Sequence, residues 1–151
     1  MKTTDGRGVV AERWELAPNL SISRVLTGLW QIADMERDGQ QLDLVATARE
    51  MEPYIKAGLT TFDMADHYGS AEEIAGLFAR EHGSEAVQTL TKWVPKPGPS
   101  TREEVREAVE ISLHRMQTER LDLLQFHAWN YADPSYLDTL FYLQELKDEG
   151  L

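Results

Sequence analysis

Apolar positions recur with two different periods along this chain, and the switches between them predict alternating strands and helices. After a polar start, residues 9–16 and 20–25 flank the turn dipeptide Pro18-Asn19 and read as a hairpin. Residues 26–30 form a short apolar run that ends in a loop with Asp34, Asp38 and Gly39. Residues 41–57 carry Leu44, Ala48, Met51 and Ile55 at helical spacing, and Pro53 among them predicts a kink or an early stop. Gly58 suits the C-terminal cap, and residues 59–62 read as the next strand. Residues 70–82 predict a helix opened by a Ser70/Glu73 capping box and closed by Gly83. A strand at 87–91 and the stiff loop Pro95-Lys96-Pro97-Gly98-Pro99 follow. Either Ser100/Glu103 or Thr101/Glu104 can cap the helix behind that loop, whose stripe is Val105, Ala108, Val109, Ser112 and Met116. Residues 121–126 read as a further strand, and Asp133-Pro134 opens a last helix, with Pro134 in its first turn, that ends at Gly150.

Strands alternating with helices in this way call for a parallel sheet with right-handed crossovers. The strands are short and apolar on both faces, as strands covered on both sides should be. A complete (β/α)₈ barrel takes about 250 residues, and this chain has 151. The expected architecture is therefore α/β, a (β/α)₈ barrel of which the N-terminal hairpin and about the first four βα units are present. A four-stranded open α/β sandwich is the alternative from pattern alone.

Composition narrows the function classes. Asp and Glu number 26 against 15 Lys and Arg, for a net charge of −11. An excess of that sign repels phosphate backbones and anionic lipid, so neither a nucleic acid nor a membrane is an expected partner. The absence of cysteine excludes disulfides, thiolate catalysis and cysteine zinc sites. No run approaches the ~20 apolar residues of a spanning helix, and the N-terminus lacks a secretory apolar core. The expected location is cytoplasmic. No two histidines share a metal-ligand spacing, and no metal is expected.

Ionisable residues collect at the predicted strand ends. Asp63 ends one strand and Tyr68 lies five residues on, Lys92 ends the next, and His127 the one after. In a parallel α/β sheet all strand C-termini point to one rim, where such folds place their chemistry. Trp30, Trp93 and Trp129 stand at or just past three of those strand ends, where large rings would wall a pocket. The set suits proton transfer by a tuned tyrosine. A free phenol has a pKa of about 10, and a nearby ammonium lowers it by stabilising the phenolate. A carboxylate keeps the lysine charged and oriented, and an imidazole can hydrogen-bond a carbonyl oxygen placed between it and the tyrosine.

The stretch Gly58-Leu59-Thr60-Thr61-Phe62-Asp63-Met64-Ala65-Asp66-His67-Tyr68-Gly69 resembles the aldo-keto reductase signature. Thr91-Lys92-Trp93 and Leu121-Asp122-Leu123-Leu124-Gln125-Phe126-His127 resemble two further motifs of that family in the right order, and Thr27-Gly28-Leu29-Trp30 resembles its first-strand motif. The resemblance implies a tetrad of Asp63, Tyr68, Lys92 and His127 in an oxidoreductase that interconverts an aldehyde or ketone and its alcohol. Tyr68 would be the proton donor, Lys92 its modifier, Asp63 the partner of Lys92, and His127 the group orienting the carbonyl. It also implies NADPH as cofactor, with NADH as the alternative. The backbone around Gly28, Leu29 and Trp30, together with Asp63, would lie against the nicotinamide. Trp30, Trp93, His127 and Trp129 would face a small-molecule carbonyl or alcohol substrate.

Two departures stand out. Met64 replaces the small hydroxyl residue usual in the family. The chain also stops at Leu151, before the later strands that supply most of the family's cofactor contacts. The expectation is a single partial domain, 1–151, cut before its fifth strand, from a chain that runs on for well over a hundred residues. If a half barrel stood alone, its open edges would favour a homodimer or marginal stability. The competing function is a non-catalytic half-barrel module that binds a partner or ligand through its rim. Of the remaining polar residues, His67 reads as a bystander and Asp66 as a cap for the following helix. His82 and His114 read as solvated, and Glu72, Glu73 and the charges at 102–107 as capping or solvated faces.

Overall fold

The computed structural model describes residues 11–34, 42–83 and 85–151. The start of the predicted hairpin at 9–10, the loop positions Asp38 and Gly39, and Gln41 at the start of the predicted helix lie outside the described residues. Strands β1 (Arg13–Ala17) and β2 (Leu20–Ser23) pair antiparallel, Arg13 opposite Ser23. Asn19 adopts a left-handed φ of 66° in the turn between them, a conformation Asn tolerates better than most residues.

A four-stranded parallel sheet follows in the order β3 (Thr27–Gly28), β4 (Thr61–Asp63), β5 (Gln88–Trp93), β6 (Leu123–Phe126). Helices α1 (Leu44–Arg49) and α2 (Glu52–Lys56) connect β3 to β4. Helix α3 (Ala71–His82) connects β4 to β5, α4 (Arg102–Met116) connects β5 to β6, and α5 (Tyr136–Glu149) follows β6. Strand order thus equals chain order, the arrangement of consecutive βα units in a (β/α)₈ barrel and not that of a sheet with a reversal point.

The predicted long helix at 41–57 is two short ones. Pro53 sits in the first turn of α2, where its missing N–H costs nothing, and the chain breaks around Met51. Gly58 reverses the chain at φ 82°. Thr101 and Glu104 form the capping box of α4: the Thr101 hydroxyl accepts from the Glu104 amide (3.2 Å), and the Thr101 amide donates to Glu104 Oε2 (2.7 Å).

The Ser70/Glu73 box does not form. Ser70 occupies the N-cap of α3, but its amide (2.8 Å) and hydroxyl (3.1 Å) both donate to Asp34 Oδ1. A carboxylate from the loop after β3 thus caps α3, and it draws that loop toward the segment carrying Tyr68. At α5, Pro134 precedes the N-cap Ser135 instead of entering the first turn, and Asp133 accepts from the Ser135 amide (3.0 Å).

One core lies between the sheet and α1–α3, centred on Leu29, Phe62, Met64, Ile74 and Phe78. Phe62 and Phe78 meet edge to face at 5.6 Å. A second joins Val105, Val109 and Leu113 of α4 to Leu146 of α5, with Trp93 and Leu124 packed against it. Of the predicted α4 stripe, Val105, Val109, Ser112 and Met116 are buried and Ala108 is half-buried. The hairpin is fastened across the start of β4 by Ser23, whose hydroxyl accepts the Thr60 amide (2.9 Å) and whose amide donates to Thr61 Oγ1 (2.8 Å).

Several polar residues are more engaged than their sequence context suggests. Glu72 is buried, because the first turn of α3 lies on the sheet. His82 is half-buried, stacked on Phe78 (4.4 Å) and paired with Glu52 (2.7 Å). Arg102 and Arg106 reach across to Glu145 and Glu149 and tie α4 to α5. Among the described residues no helix is long and apolar enough to cross a membrane.

Candidate active site

Parity along the strands decides which side chains meet. Asp63 lies opposite Leu90, and Lys92 opposite Gln125. Successive strand side chains alternate faces, so Asp63, Lys92 and Gln125 point to one face, away from the helices. Phe62 and Thr91 point to the other face and are buried there. His127, two residues beyond Gln125, lies at the same rim.

Lys92 Nζ donates to both Asp63 oxygens (2.7 Å each) and to the Met64 carbonyl (2.8 Å). All three ammonium donors therefore have acceptors, and the pair keeps only part of its surface in water. Gln125 Nε2 adds a further bond to Asp63 Oδ1 (2.8 Å). The same ammonium lies 5.5 Å from the centroid of the Tyr68 ring. Tyr68 is also packed edge to face against Trp30 (4.7 Å) and His67 (4.9 Å). Such contacts fix the plane of a ring while leaving its hydroxyl free to react.

The loop between β4 and α3 is held at several points. The Met64 amide donates to the Leu90 carbonyl (2.8 Å) and the Asp66 amide to the Lys92 carbonyl (2.8 Å). Asp66 does not cap α3. One of its oxygens accepts the Val94 amide (3.2 Å), and the other meets His67 Nδ1 (2.8 Å). His67, expected to be a bystander, thereby joins the ring cluster around Tyr68.

At the first strand, the Leu29 amide donates to the Asp63 carbonyl (2.9 Å), which locks the end of β3 to Asp63. The Leu29 side chain is fully buried in the core, so only its backbone borders the site. Gly28 faces open space, where a Cβ would meet nothing within 4 Å. Beside it, the Trp30 ring stands against Tyr68 and leaves a ledge open over the end of β3.

His127 is exposed, and its amide donates to the Trp93 carbonyl (3.0 Å). Its ring tilts over Trp129 at 5.2 Å. Among the described residues it makes no hydrogen bond or ring contact with Asp63, Lys92 or Tyr68. The structure thus brings Asp63, Lys92 and Tyr68 together and places His127 at the same rim outside that contact group. Trp93 packs on Phe126 (5.8 Å) and the α4–α5 core, while Trp129 is exposed.

Sequence reasoning assigned no role to Gln125, Asp34 or Arg115, and it read Glu72 as part of a capping or solvated face. Strand parity could have found Gln125, since it stands two residues before His127. No local signal marks the other three, whose partners lie 19 to 49 residues away.

Residues 24–151 match the model of the Aldo/keto reductase family. Aflatoxin B1 aldehyde reductase member 2 of Rattus norvegicus is 34% identical over 117 residues, covering 74% of this chain and 32% of that protein. Aldo-keto reductase YhdN of Bacillus subtilis is 30% identical over 142 residues, covering 87% and 41% respectively. The chain thus spans about a third to two fifths of the length of these curated relatives. An aldo/keto reductase of Klebsiella pneumoniae, solved with NADP and acetate, superposes with a TM-score of 0.72 at 23% identity. That alignment covers 93% of this chain and 47% of the other, and it identifies the fold as the N-terminal portion of a (β/α)₈ barrel. By sequence and by fold, this chain belongs to the aldo/keto reductase family.

Proposed function

We propose that the protein carrying this segment is a nicotinamide-dependent carbonyl reductase in which Tyr68 donates the proton. The observation that carries the reading is the Lys92 ammonium, bound to both Asp63 oxygens at 2.7 Å and set 5.5 Å from the Tyr68 ring centre. As a carbonyl oxygen gains negative charge, the Tyr68 hydroxyl gives it a proton, and the ammonium stabilises the charge left on the phenol oxygen. Asp63, itself fixed by the Gln125 amide, and the Met64 carbonyl hold the ammonium in place, so little reorganisation is needed when that charge develops. His127, at the rim beside Trp129, orients the carbonyl, with the half-buried Trp30 and the exposed Trp129 as the aromatic surface beside it.

The residues at the end of β3 fit a flat heteroaromatic ring. Gly28 presents no side chain, and the Leu29 backbone is anchored to Asp63. Gly28, the Leu29 backbone, Trp30 and Asp63 would hold the nicotinamide of NADPH, with NADH as the alternative. When bound, that group supplies the hydride that converts the carbonyl to the alcohol. The substrate is a small-molecule aldehyde or ketone.

The test is Tyr68→Phe, which keeps the ring packing against Trp30 and His67 and removes only the hydroxyl that carries the proton. NADPH oxidation with a panel of aldehydes and ketones should fall by about 10²- to 10⁴-fold. Tryptophan fluorescence titrated with NADPH should still show saturable quenching, because Trp30 lies within the ring cluster. Full turnover by the variant refutes the proton-donor role. No quenching and no turnover by the unaltered protein favours a rim that binds a partner without catalysis.

A further inference from the structure

Beneath the candidate site lies a polar network, buried at Glu72 and Thr91 and part-exposed at Arg115, that the proton-transfer chemistry does not itself use. Glu72, in the first turn of α3, is 1% exposed and has both carboxylate oxygens occupied. Oε1 accepts the hydroxyl of Thr91 (2.7 Å), which is fully buried and immediately precedes Lys92. Oε2 pairs with Arg115 Nη1 (3.1 Å), reaching over from α4. The same Nη1 donates to the Asp66 carbonyl (2.8 Å), in the loop two residues before Tyr68. A buried carboxylate is costly unless paired and hydrogen-bonded, and here its partners fasten two separate segments. One is the strand that carries Lys92, and the other is the loop that carries Tyr68.

We infer that Glu72 and Arg115 are positioning residues that set the distance between the Lys92 ammonium and the Tyr68 ring. The inference rests on the reductase reading for its effect on turnover, but its structural part stands by itself. Thr91 fixes the height of β5 against α3, and Arg115 fixes the loop against the same carboxylate. Loss of the guanidinium frees the Asp66 carbonyl and leaves the loop held at its other points by the Asp66 amide and carboxylate. The Tyr68 ring then drifts from Lys92, while the Gly28 backbone and the His127–Trp129 pair, which these residues do not touch, are unchanged.

The experiment compares Arg115→Met, Arg115→Lys and Glu72→Gln with the unaltered full-length protein. In Arg115→Met, kcat should fall about 10- to 100-fold, the scale of a misplacement near 1 Å, with KM for NADPH and for the carbonyl within about twofold. Its pH profile should shift, because the ammonium no longer lies at its fixed distance from the phenol. Arg115→Lys, which can still donate to one acceptor, should recover part of kcat. Amide exchange at Asp66 and Tyr68 should quicken in Arg115→Met relative to Leu90 and Thr91 in β5. Glu72→Gln keeps the shape and the Thr91 bond, and it should give a smaller change in the same direction should Arg115→Met fold poorly. Unchanged loop exchange in both variants overturns the inference. So does an unshifted pH profile with a kcat that follows only the folded fraction. An unaltered protein without turnover refutes the reductase reading instead, and the exchange arm still decides the positioning role.

Discussion

Replacing Lys92 with Met tests the centre of the site without depending on turnover. The substitution keeps much of the side chain's apolar length and removes the ammonium. Three bonds are lost, two to Asp63 and one to the Met64 carbonyl. Asp63 is left as a part-buried carboxylate with the Gln125 amide as its remaining side-chain donor. A hydrogen bond to a charged group contributes about 1.5–3 kcal/mol, and breaking a fully buried pair costs about 3–5 kcal/mol. Both side chains keep some solvent access, 18% for Lys92 and 26% for Asp63, which places the expected loss nearer about 2–3 kcal/mol. Asp63→Asn in the same background removes the orphaned charge and should restore part of that loss. The four proteins of the cycle, unfolded in urea at pH 7 with constant m-values, should give a coupling of about 2 kcal/mol. A coupling below about 0.5 kcal/mol would falsify the claim that the pair is a direct, partly desolvated contact. Under the reductase reading, Lys92→Met should also lower kcat far more than its folded fraction explains.

Two further expectations concern the scaffold. A Cβ on Gly76 would stand 2.3 Å from the Met116 carbonyl oxygen, so Gly76→Ala must push α3 and α4 apart. Calorimetry should show a loss of at least about 2 kcal/mol, as for other overpacked cores, and an unchanged melting temperature refutes the close approach. The Asp133 carboxyl is held below its usual value by hydrogen bonds from the Ser135 backbone and side chain. A depressed value means the stabilisation is present above the unfolded carboxyl pKa of about 3.9 and is lost as pH falls below it. Asp133→Asn should therefore remove a small stability difference seen at neutral pH and absent near pH 2. Equal losses at both pH values count against the cap.

Much of the site was legible in the chain because its parts are local. Asp63, Lys92 and His127 each stand at the end of a short apolar run, and a parallel sheet sends all such ends to one rim. The Thr101/Glu104 capping box, Gly58 and Gly150 were legible for the same reason, since a cap depends on residues within a turn of it. The Ser70/Glu73 box had an equally good local pattern and does not form. Asp34, 36 residues away, takes the Ser70 amide and hydroxyl, and no window of sequence contains that competitor.

The residues alone therefore determined the alternation of strands and helices, the family and the rim on which the ionisable groups gather. These follow from hydrophobic period, turn chemistry and motif order, all of which act over a few residues. Tertiary structure decided the rest: that Asp63 and Gln125 share the Lys92 ammonium's surroundings, and that His67 belongs to the ring cluster. It also decided that His127 stands apart from the other three, and that Glu72 is buried against Thr91 and Arg115 and not solvated. Those outcomes depend on which faces α3 and α4 turn to the sheet. A charge on a helix has the same local pattern whether it meets water or a guanidinium from a neighbouring helix, and only packing distinguishes the two.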